Sequence, residues 1–211
     1  MKALIISNGD MKDINWLSEI AMDFDFILCA DGGCNYCIEA NILPDLVIGD
    51  LDSISIRTLD ILNKEGIPVT KYPVKKNATD TELALDILID KGIKDITFVG
   101  AIGSRMDHTL ANILLLIKLH EKGCTGKIMD EKNTIYLVDK ELILSKKEDS
   151  YVSVIPLTQK GVSISLKGFE YELKEYTINF GSTLGISNKI IHDKAYILVH
   201  EGLCLVCLSR D

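Results

Sequence analysis

The stretch Phe24-Asp-Phe-Ile-Leu-Cys-Ala-Asp-Gly-Gly33 is a short apolar run that ends in an aspartate and two glycines. A second stretch of the same form, Asp45-Leu-Val-Ile-Gly-Asp-Leu-Asp-Ser53, follows a segment with helical spacing. Short apolar runs separated by helical segments are typical of buried parallel strands in an α/β sheet. The two stretches therefore predict two buried strands, each of which ends in carboxylates.

The same alternation extends through the first part of the chain. Apolar runs predict strands at 3–6, 24–30, 45–48 and 95–100, and helical spacing predicts helices at 34–40, 54–64, 80–91 and 107–122. In the last helix the predicted buried face contains Leu110, Ile113, Leu114 and Ile117, with Asp107 as N-cap. We expect residues 1–125 to form a Rossmann-like α/β domain, a mostly parallel sheet flanked by helices.

The pattern changes after about Gly126. Runs at 134–138, 151–155, 161–166, 195–200 and 203–208 alternate with a period of two and are bounded by turn-forming and polar residues. Such alternation is typical of antiparallel strands with one buried face. We expect residues 126–211 to form a second, all-β sandwich domain.

Bulk composition limits the classes of function. The chain has 211 residues, 47% of them hydrophobic, which is enough to build a core, and its formal net charge is -8. A negative chain lacks the basic face that nucleic acids require. The longest apolar runs, such as Ile113 to Ile117, are too short to span a bilayer, and the N-terminus shows no secretory cleavage pattern. We therefore expect a cytoplasmic protein that binds neither nucleic acid nor membrane.

Six cysteines include two CxxC pairs, Cys34/Cys37 and Cys204/Cys207, whose spacing is also found in zinc sites. The second pair falls in a predicted strand, where residues three apart point to opposite faces. Neither pair encloses a glycine, and the second pair encloses only the apolar residues Leu205 and Val206, which do not favour the turn of a zinc knuckle. Reduced, mostly buried thiols are the favoured interpretation.

Polar residues follow three of the predicted strands, where ligands bind in open parallel sheets. These positions are Asp31-Gly-Gly33, Gly49-Asp-Leu-Asp-Ser53 and the segment 100–108. Asp50 and Asp52, one residue apart, could hold Mg²⁺, which prefers carboxylate and phosphate oxygens. Alternatively, Asp52 or Ser53 caps the next helix. Asp31-Gly-Gly33 could bring backbone close to a ligand or form a tight turn.

Two helix starts carry further candidates. Thr79 and Glu82 have the spacing of a capping box, which leaves Asp80 for a ligand or for the helix dipole. Arg105, Asp107 and His108 precede the long helix, whose N-terminus and guanidinium could hold phosphate, although Asp107 could cap and His108 could have an ordinary first-turn role. The chain contains no GxxxxGK[ST] loop, which excludes a P-loop kinase.

Together these segments resemble the thiamine pyrophosphokinase family, almost from end to end. The resemblance rests on five segments that occur in the family's order: Ala30-Asp-Gly-Gly33, Pro44-Asp-Leu-Val-Ile-Gly-Asp-Leu-Asp-Ser53, Ala78-Thr-Asp80 with Glu82, Gly103-Ser-Arg-Met-Asp-His108 and Gly185-Ile-Ser-Asn188. It implies transfer of the pyrophosphoryl group of ATP to the thiamine hydroxyl, giving thiamine diphosphate and AMP.

The resemblance also implies site residues. Asp50, Asp52 and Asp80 are expected to bind Mg²⁺ and polyphosphate, with Asp31 as a fourth catalytic residue. Gly32, Gly33, Arg105, Asp107 and His108, together with Asp31, are expected on the nucleotide side. Ser187 and Asn188 are expected to help hold thiamine in a cleft completed by the partner subunit of a homodimer.

The sequence departs from the family at two places. The family commonly has an acidic residue where this chain has Asn77, so Asn77 is left out of the metal set. The segment Lys167-Gly-Phe-Glu-Tyr-Glu-Leu173 only approximates the family's glycine-leucine pattern. Either Asp31 or Asp80 could accept the thiamine proton.

Two other functions fit parts of the pattern. Asp50-Leu-Asp52 has the DxD form that nucleotide-sugar glycosyltransferases use to hold a metal diphosphate. A non-enzymatic sensor of nucleotide or thiamine could also retain the fold without its reaction.

Overall fold

The computed structural model describes residues 1–72 and 78–211, which form two units, Met1–Glu131 and Lys132–Asp211. The described residues of the first unit contain six strands: β1 (Lys2–Ile6), β2 (Phe26–Ala30), β3 (Leu46–Gly49), β4 (Val69–Lys71), β5 (Asp95–Val99) and β6 (Thr125–Met129). All five pairings among them are parallel, and the order across the sheet is β4-β3-β2-β1-β5-β6. The expected α/β sheet is confirmed.

In the part of this unit that the structure describes, five helices connect the strands: α1 (Ile14–Ala21), α2 (Gly33–Glu39), α3 (Ile56–Lys64), α4 (Asp80–Asp90) and α5 (Met106–Glu121). The sequence patterns did not predict α1, whose N-cap is Asp13 accepting the Trp16 N–H at 3.0 Å. Among the helices in the described ranges, none combines the length and the apolar content needed to cross a membrane.

The predicted buried face of α5 is wrong. Leu110 and Leu114 are 56% and 52% exposed, whereas the buried side of α5 consists of Thr109, Asn112, Leu115, Leu116 and Leu119. Thr109 and Asn112 are accommodated because their side chains donate to the carbonyls of Gly103 at 3.1 Å and Ala101 at 2.8 Å. The predicted N-cap is also wrong, because Arg105 occupies that position and Asp107 lies in the first turn.

The second unit is a β-sandwich, as expected. Strands β7 (Asn133–Val138), β13 (Cys204–Arg210) and β9 (Ser150–Pro156) pair antiparallel in that order, and β11 (Leu173–Ile178), β10 (Val162–Lys167), β12 (Lys194–Glu201) and β8 (Glu141–Ser145) form a four-stranded antiparallel sheet. One core joins the two layers, with Val154 and Val206 from the first and Ile164 and Ile197 from the second.

The boundary between the units lies six residues beyond the expected one. Strand β6, of which the expected boundary placed all but Thr125 in the second domain, pairs in parallel with β5 and belongs to the first unit. Its sequence, Thr-Gly-Lys-Ile-Met, has little apolar character, so the composition alone did not mark it as a strand of a parallel sheet.

The cysteines are free thiols, five of them buried. Burial raises the pKa of Cys34 to about 12 and that of Cys204 to about 12, which keeps both protonated at neutral pH. Their burial agrees with the interpretation of reduced, mostly buried thiols.

Candidate active site

Three carboxylates converge where β2 and β3 end. Asp31 follows β2, Asp50 and Asp52 follow β3, and one ligand atom from each lies within 4.8 Å of the other two. The strands are neighbours in register, with Ala30 opposite Ile48, so their carboxyl ends meet at one edge of the sheet. This group, called here the carboxylate cluster, consists of Asp31, Asp50 and Asp52.

The backbone around the cluster has unusual conformations. Asp31 has a φ of 50° and Leu51 a φ of 72°, in the left-handed region that non-glycine residues rarely adopt. Within the β3 loop the Asp52 N–H donates to Asp50 Oδ1 at 3.2 Å. Such conformations each cost about 1–3 kcal/mol and are found mostly at functional sites.

Helix capping does not account for the paired aspartates. Helix α3 begins after Ser55, whose Oγ accepts the Thr58 N–H at 3.1 Å. The alternative that Asp52 or Ser53 caps this helix is therefore wrong. The Asp52 side chain is exposed and accepts a hydrogen bond from the Ser53 hydroxyl at 3.0 Å.

The cluster is electrostatically suited to a cation. Among the described residues, Asp31 Oδ1 is a buried oxygen with no hydrogen-bond partner. Burial raises the pKa of the Asp31 carboxyl, and the charges of Asp50 and Asp80 raise that pKa further, although a hydrogen bond from the Gly32 backbone opposes them. An unpartnered oxygen beside like charges is stabilised when a cation supplies the missing interaction. A hard dication such as Mg²⁺ matches this all-oxygen donor set.

Replacing Asp31 should show that its ionised carboxylate lowers the stability of the metal-free protein. In the folded state the pKa of the Asp31 carboxyl lies above its ordinary value near 3.8. The protonated carboxyl therefore contributes stability that is fully present below the unfolded pKa and is lost as the pH rises through the folded pKa. We expect Asp31→Asn, in EDTA, to raise the free energy of unfolding at pH 7 by less than about 1 kcal/mol, because the carboxylate is partly exposed. Near pH 3.5 the two proteins should be equally stable in urea unfolding. If Asp31→Asn were less stable than the parent at pH 7, the ionised Asp31 carboxylate would not destabilise the metal-free fold.

A cleft of about 390 Å³ lies beside the cluster. It brings together Asp31 and Asp80 with Arg105 and His108, four residues singled out in the sequence. It also contains polar residues that sequence reasoning missed: Asn8, Asp10, Thr81, Thr109 and Asn112. Asn8 and Asp10 lie in the loop that follows β1, so the rule applied to the strands predicted to end at 30, 48 and 100 would have found them too.

Helix α4 presents Asp80 to the cleft from its first turn. The Thr79 hydroxyl caps the helix by accepting the Glu82 N–H at 3.2 Å, as the capping-box spacing predicted. The Glu82 carboxylate binds Lys118 Nζ at 2.9 Å instead of completing the box. Thr81 Oγ1 lies 2.9 Å from Ser7 Oγ in a buried hydroxyl pair that joins α4 to the end of β1. The residues on both sides of Asp80 are thus anchored.

The start of α5 carries a surface ion pair. Arg105 Nη2 lies 2.7 Å from Asp107 Oδ2, and both side chains are largely exposed. The hydrogen bond from Arg105 lowers the pKa of Asp107. Arg105 and His108 line the cleft, whereas Asp107 is outside its lining and orients Arg105.

The remaining predicted residues have mixed positions. Gly32 and Gly33 pack against Asn8 and Ile6, and a Cβ on Gly33 would lie 2.1 Å from the Ile6 carbonyl oxygen. In the second unit the Asn188 side chain is buried and bonds both the N–H and the carbonyl of Tyr171, at 3.1 and 2.7 Å. Ser187 is exposed, with a φ of 61°. Asn77 lies outside the described residues.

Known proteins match both units. Residues 17–128 match the family described as "Thiamin pyrophosphokinase, catalytic domain", and residues 139–204 match "Thiamin pyrophosphokinase, vitamin B1 binding domain". Thiamine pyrophosphokinase of Bacillus subtilis (strain 168) is 31% identical over 209 residues, which cover 98% of each chain. Thiamin pyrophosphokinase 1 of Caenorhabditis elegans is 22% identical over 185 residues, covering 83% of this chain and 76% of that one.

Solved structures give the same result. The crystal structure of thiamine pyrophosphokinase from Bacillus subtilis superposes with a TM-score of 0.90 at 29% identity and 100% coverage of both chains. Thiamin pyrophosphokinase from Candida albicans has a TM-score of 0.84 at 18% identity, covering 100% of this chain and 90% of that one, which shows a shared fold.

Proposed function

The chain belongs to the thiamine pyrophosphokinase family, and from that premise we propose how its residues carry out the reaction. The enzyme is a thiamine diphosphokinase, which transfers the pyrophosphoryl group of ATP to thiamine and releases AMP. The observation that carries the residue assignment is the carboxylate cluster, with the unpartnered Asp31 oxygen at the edge of the cleft. The glycosyltransferase and sensor alternatives are not favoured by these matches.

We assign Asp50 and Asp52, with Asp80, to the binding of Mg²⁺ and the polyphosphate of ATP. We add Asp31 to this set because its ligand atom lies within 4.8 Å of those of Asp50 and Asp52, and because its Oδ1 has no hydrogen-bond partner among the described residues. The carboxylate oxygens of this set would hold a bound Mg²⁺, which would supply positive charge to neutralise the phosphates. The protein's contribution is to hold these oxygens at fixed positions, so little reorganisation is required during the reaction.

The transfer itself requires no protein nucleophile. The thiamine hydroxyl oxygen attacks the β-phosphorus of ATP, the bond from that phosphorus to the α-phosphate oxygen breaks, and AMP leaves with that oxygen. The hydroxyl proton passes to a carboxylate, and Asp31 and Asp80, which both line the cleft, are the two candidates.

The first turn of α5 is proposed to hold phosphate oxygens. Its free N–H groups point beyond the helix start, and Arg105 adds a guanidinium that can bind two oxygens at once. Asp107 keeps Arg105 in place before the nucleotide binds, and His108 lies on the same wall of the cleft.

Thiamine binding is assigned to the second unit, which matches the vitamin B1 binding domain. Exposed Ser187 is available to a ligand, whereas the Asn188 amide supports the loop through Tyr171 and is proposed to act by shaping it. We further propose that the enzyme is a homodimer whose partner subunit completes the thiamine site. Six free cysteines fit a reducing compartment, and we propose a cytoplasmic location.

One assay tests the activity. AMP is measured by chromatography after incubation of the protein with ATP and Mg²⁺, with and without thiamine. We expect AMP and thiamine diphosphate in equal amounts only when thiamine is present. Release of nucleoside diphosphate from a sugar nucleotide would support the glycosyltransferase alternative, and binding of ATP or thiamine without turnover would support the sensor.

A further inference from the structure

Asn35 holds the loop that carries Asp50 and Asp52. Its Nδ2 donates to the Ser53 carbonyl oxygen at 2.9 Å, and its Oδ1 accepts the Ser55 N–H at 3.0 Å. One amide side chain thus binds two backbone groups that flank Ile54, across 18 and 20 residues of sequence. An asparagine amide suits this task because it presents a donor and an acceptor side by side.

Besides the Asn35 bonds, the loop is held at Ile54, whose buried side chain packs in the core and whose N–H donates to the Leu51 carbonyl at 3.3 Å. Its entry is fixed where the Gly49 carbonyl accepts the Tyr72 N–H at 2.9 Å, and its exit is fixed where Ser55 caps α3. Between these points the backbone passes through the left-handed residue Leu51, and Asp52 and Ser53 are exposed. A strained segment of this kind persists only when its surroundings hold it, so the two Asn35 bonds at the exit restrain the carboxylates before it.

Asp31 lies just before the helix that carries Asn35: its N–H donates to the Ile48 carbonyl at 2.7 Å, and its carbonyl accepts the Cys34 N–H at 3.4 Å. Asn35 lies within helix α2, four residues after Asp31. The buried side chains of Cys34 and Cys37 pack this helix in the core. A shift of α2 would therefore move Asp31 and the Asn35 clamp together. Asn35 consequently couples the position of the β3 loop to that of Asp31, within the cluster whose ligand atoms lie inside 4.8 Å.

We propose that Asn35 is a positioning residue for the metal site, which holds Asp50 and Asp52 at the separation from Asp31 that a dication requires. The proposal rests on the proposed role of the cluster in metal binding. Residues that orient metal ligands through hydrogen bonds typically change metal affinity or activity by 10–100-fold when replaced.

The test measures binding of Mn²⁺, a spectroscopic substitute for Mg²⁺, to the full chain by electron paramagnetic resonance without nucleotide. Asn35→Ala should weaken Mn²⁺ binding about tenfold or more and should raise the Mg²⁺ concentration needed for half-maximal AMP formation. Asn63→Ala, which makes the same change at an exposed position of α3, should bind Mn²⁺ as the parent does. Equal binding by Asn35→Ala and the parent would overturn the proposal.

A second variant, Asn35→Asp, breaks one of the two hydrogen bonds of the clamp while keeping the size of the side chain. The aspartate fills the same volume and can still accept the Ser55 N–H, but it loses the donor to the Ser53 carbonyl and adds a negative charge. Added charge favours Mn²⁺ binding and loss of the clamp weakens it, so weaker binding by Asn35→Asp supports the proposal even if Asn35→Ala does not fold. Parental or tighter binding by Asn35→Asp in high salt, where the added charge is screened, would overturn the proposal. If the parent itself bound no Mn²⁺, the metal assignment of the cluster would fail first, and the role of Asn35 in metal binding would fail with it.

Discussion

Asp52→Asn is expected to lower the rate of AMP formation by about a hundredfold to a thousandfold, the range seen when one preorganised electrostatic contact to a transition state is removed. Asn keeps the shape of the side chain and one oxygen, but it supplies no charge to a cation or to the polyphosphate. The loss should be largest at low Mg²⁺ and should persist at saturating ATP, because the assigned role of Asp52 is to hold charge during transfer.

The fold should survive this change. Asp52 is exposed, and α3 is capped by Ser55, so no helix depends on Asp52. Asn also removes one of three neighbouring negative charges. We therefore expect the free energy of unfolding without metal to be unchanged or slightly higher. Asp60→Asn, an identical change at an exposed position of α3, is the control. A parental rate for purified Asp52→Asn would remove Asp52 from the metal set.

The convergence of the carboxylates could be predicted from the sequence because it follows from topology. Parallel strands end at one edge, so acidic residues placed directly after β2 and β3 had to be close in space. The glycines and aspartates that follow these strands indicated where the site would lie. Asp80 and Arg105 were predicted from a different signal, the starts of two helices, and both line the cleft beside that edge.

The packing of α5 could not be predicted in the same way. The segment from Leu110 to Leu119 is apolar on almost every side, so helical periodicity does not select one face. The face that packs includes Asn112, which a rule based on hydrophobicity assigns to solvent, although the Ala101 carbonyl satisfies its amide. Tertiary hydrogen bonding, which periodicity does not encode, decided the orientation.

The Asn35 clamp was likewise beyond the reach of sequence patterns. Nothing local to α2 distinguishes Asn35 from an ordinary half-buried helical residue. Its function depends on the approach of the β3 loop, which only the packed sheet determines. Residues that bind ligands were therefore easier to predict than residues that hold those binding residues in place.

Gly49→Ala is expected to lower both stability and activity, because Gly49 links the sheet to the cluster. Gly49 has a φ of 143°, which an alanine adopts only with strain, and a Cβ there would lie 3.0 Å from the Asp31 Cα. That neighbour is backbone and cannot rotate away. We expect the free energy of unfolding to fall by about 2–3 kcal/mol, and the rate of AMP formation per folded molecule to fall about tenfold, as Asp31 and Asp50 move apart.

Gly66→Ala is the control, because it introduces backbone strain without displacing a neighbouring residue. Gly66 also has a positive φ, of 67°, but a Cβ there would meet no atom within 4 Å. We expect Gly66→Ala to lower the free energy of unfolding by about 1 kcal/mol, the cost of the left-handed conformation, with AMP formation unchanged. Urea unfolding and the AMP assay on both variants provide the comparison. If Gly49→Ala lost stability but kept the parental rate, the separation of Asp31 from Asp50 would not control catalysis. If both variants lost activity equally, general destabilisation would explain the loss, because only Gly49 touches the Asp31 backbone.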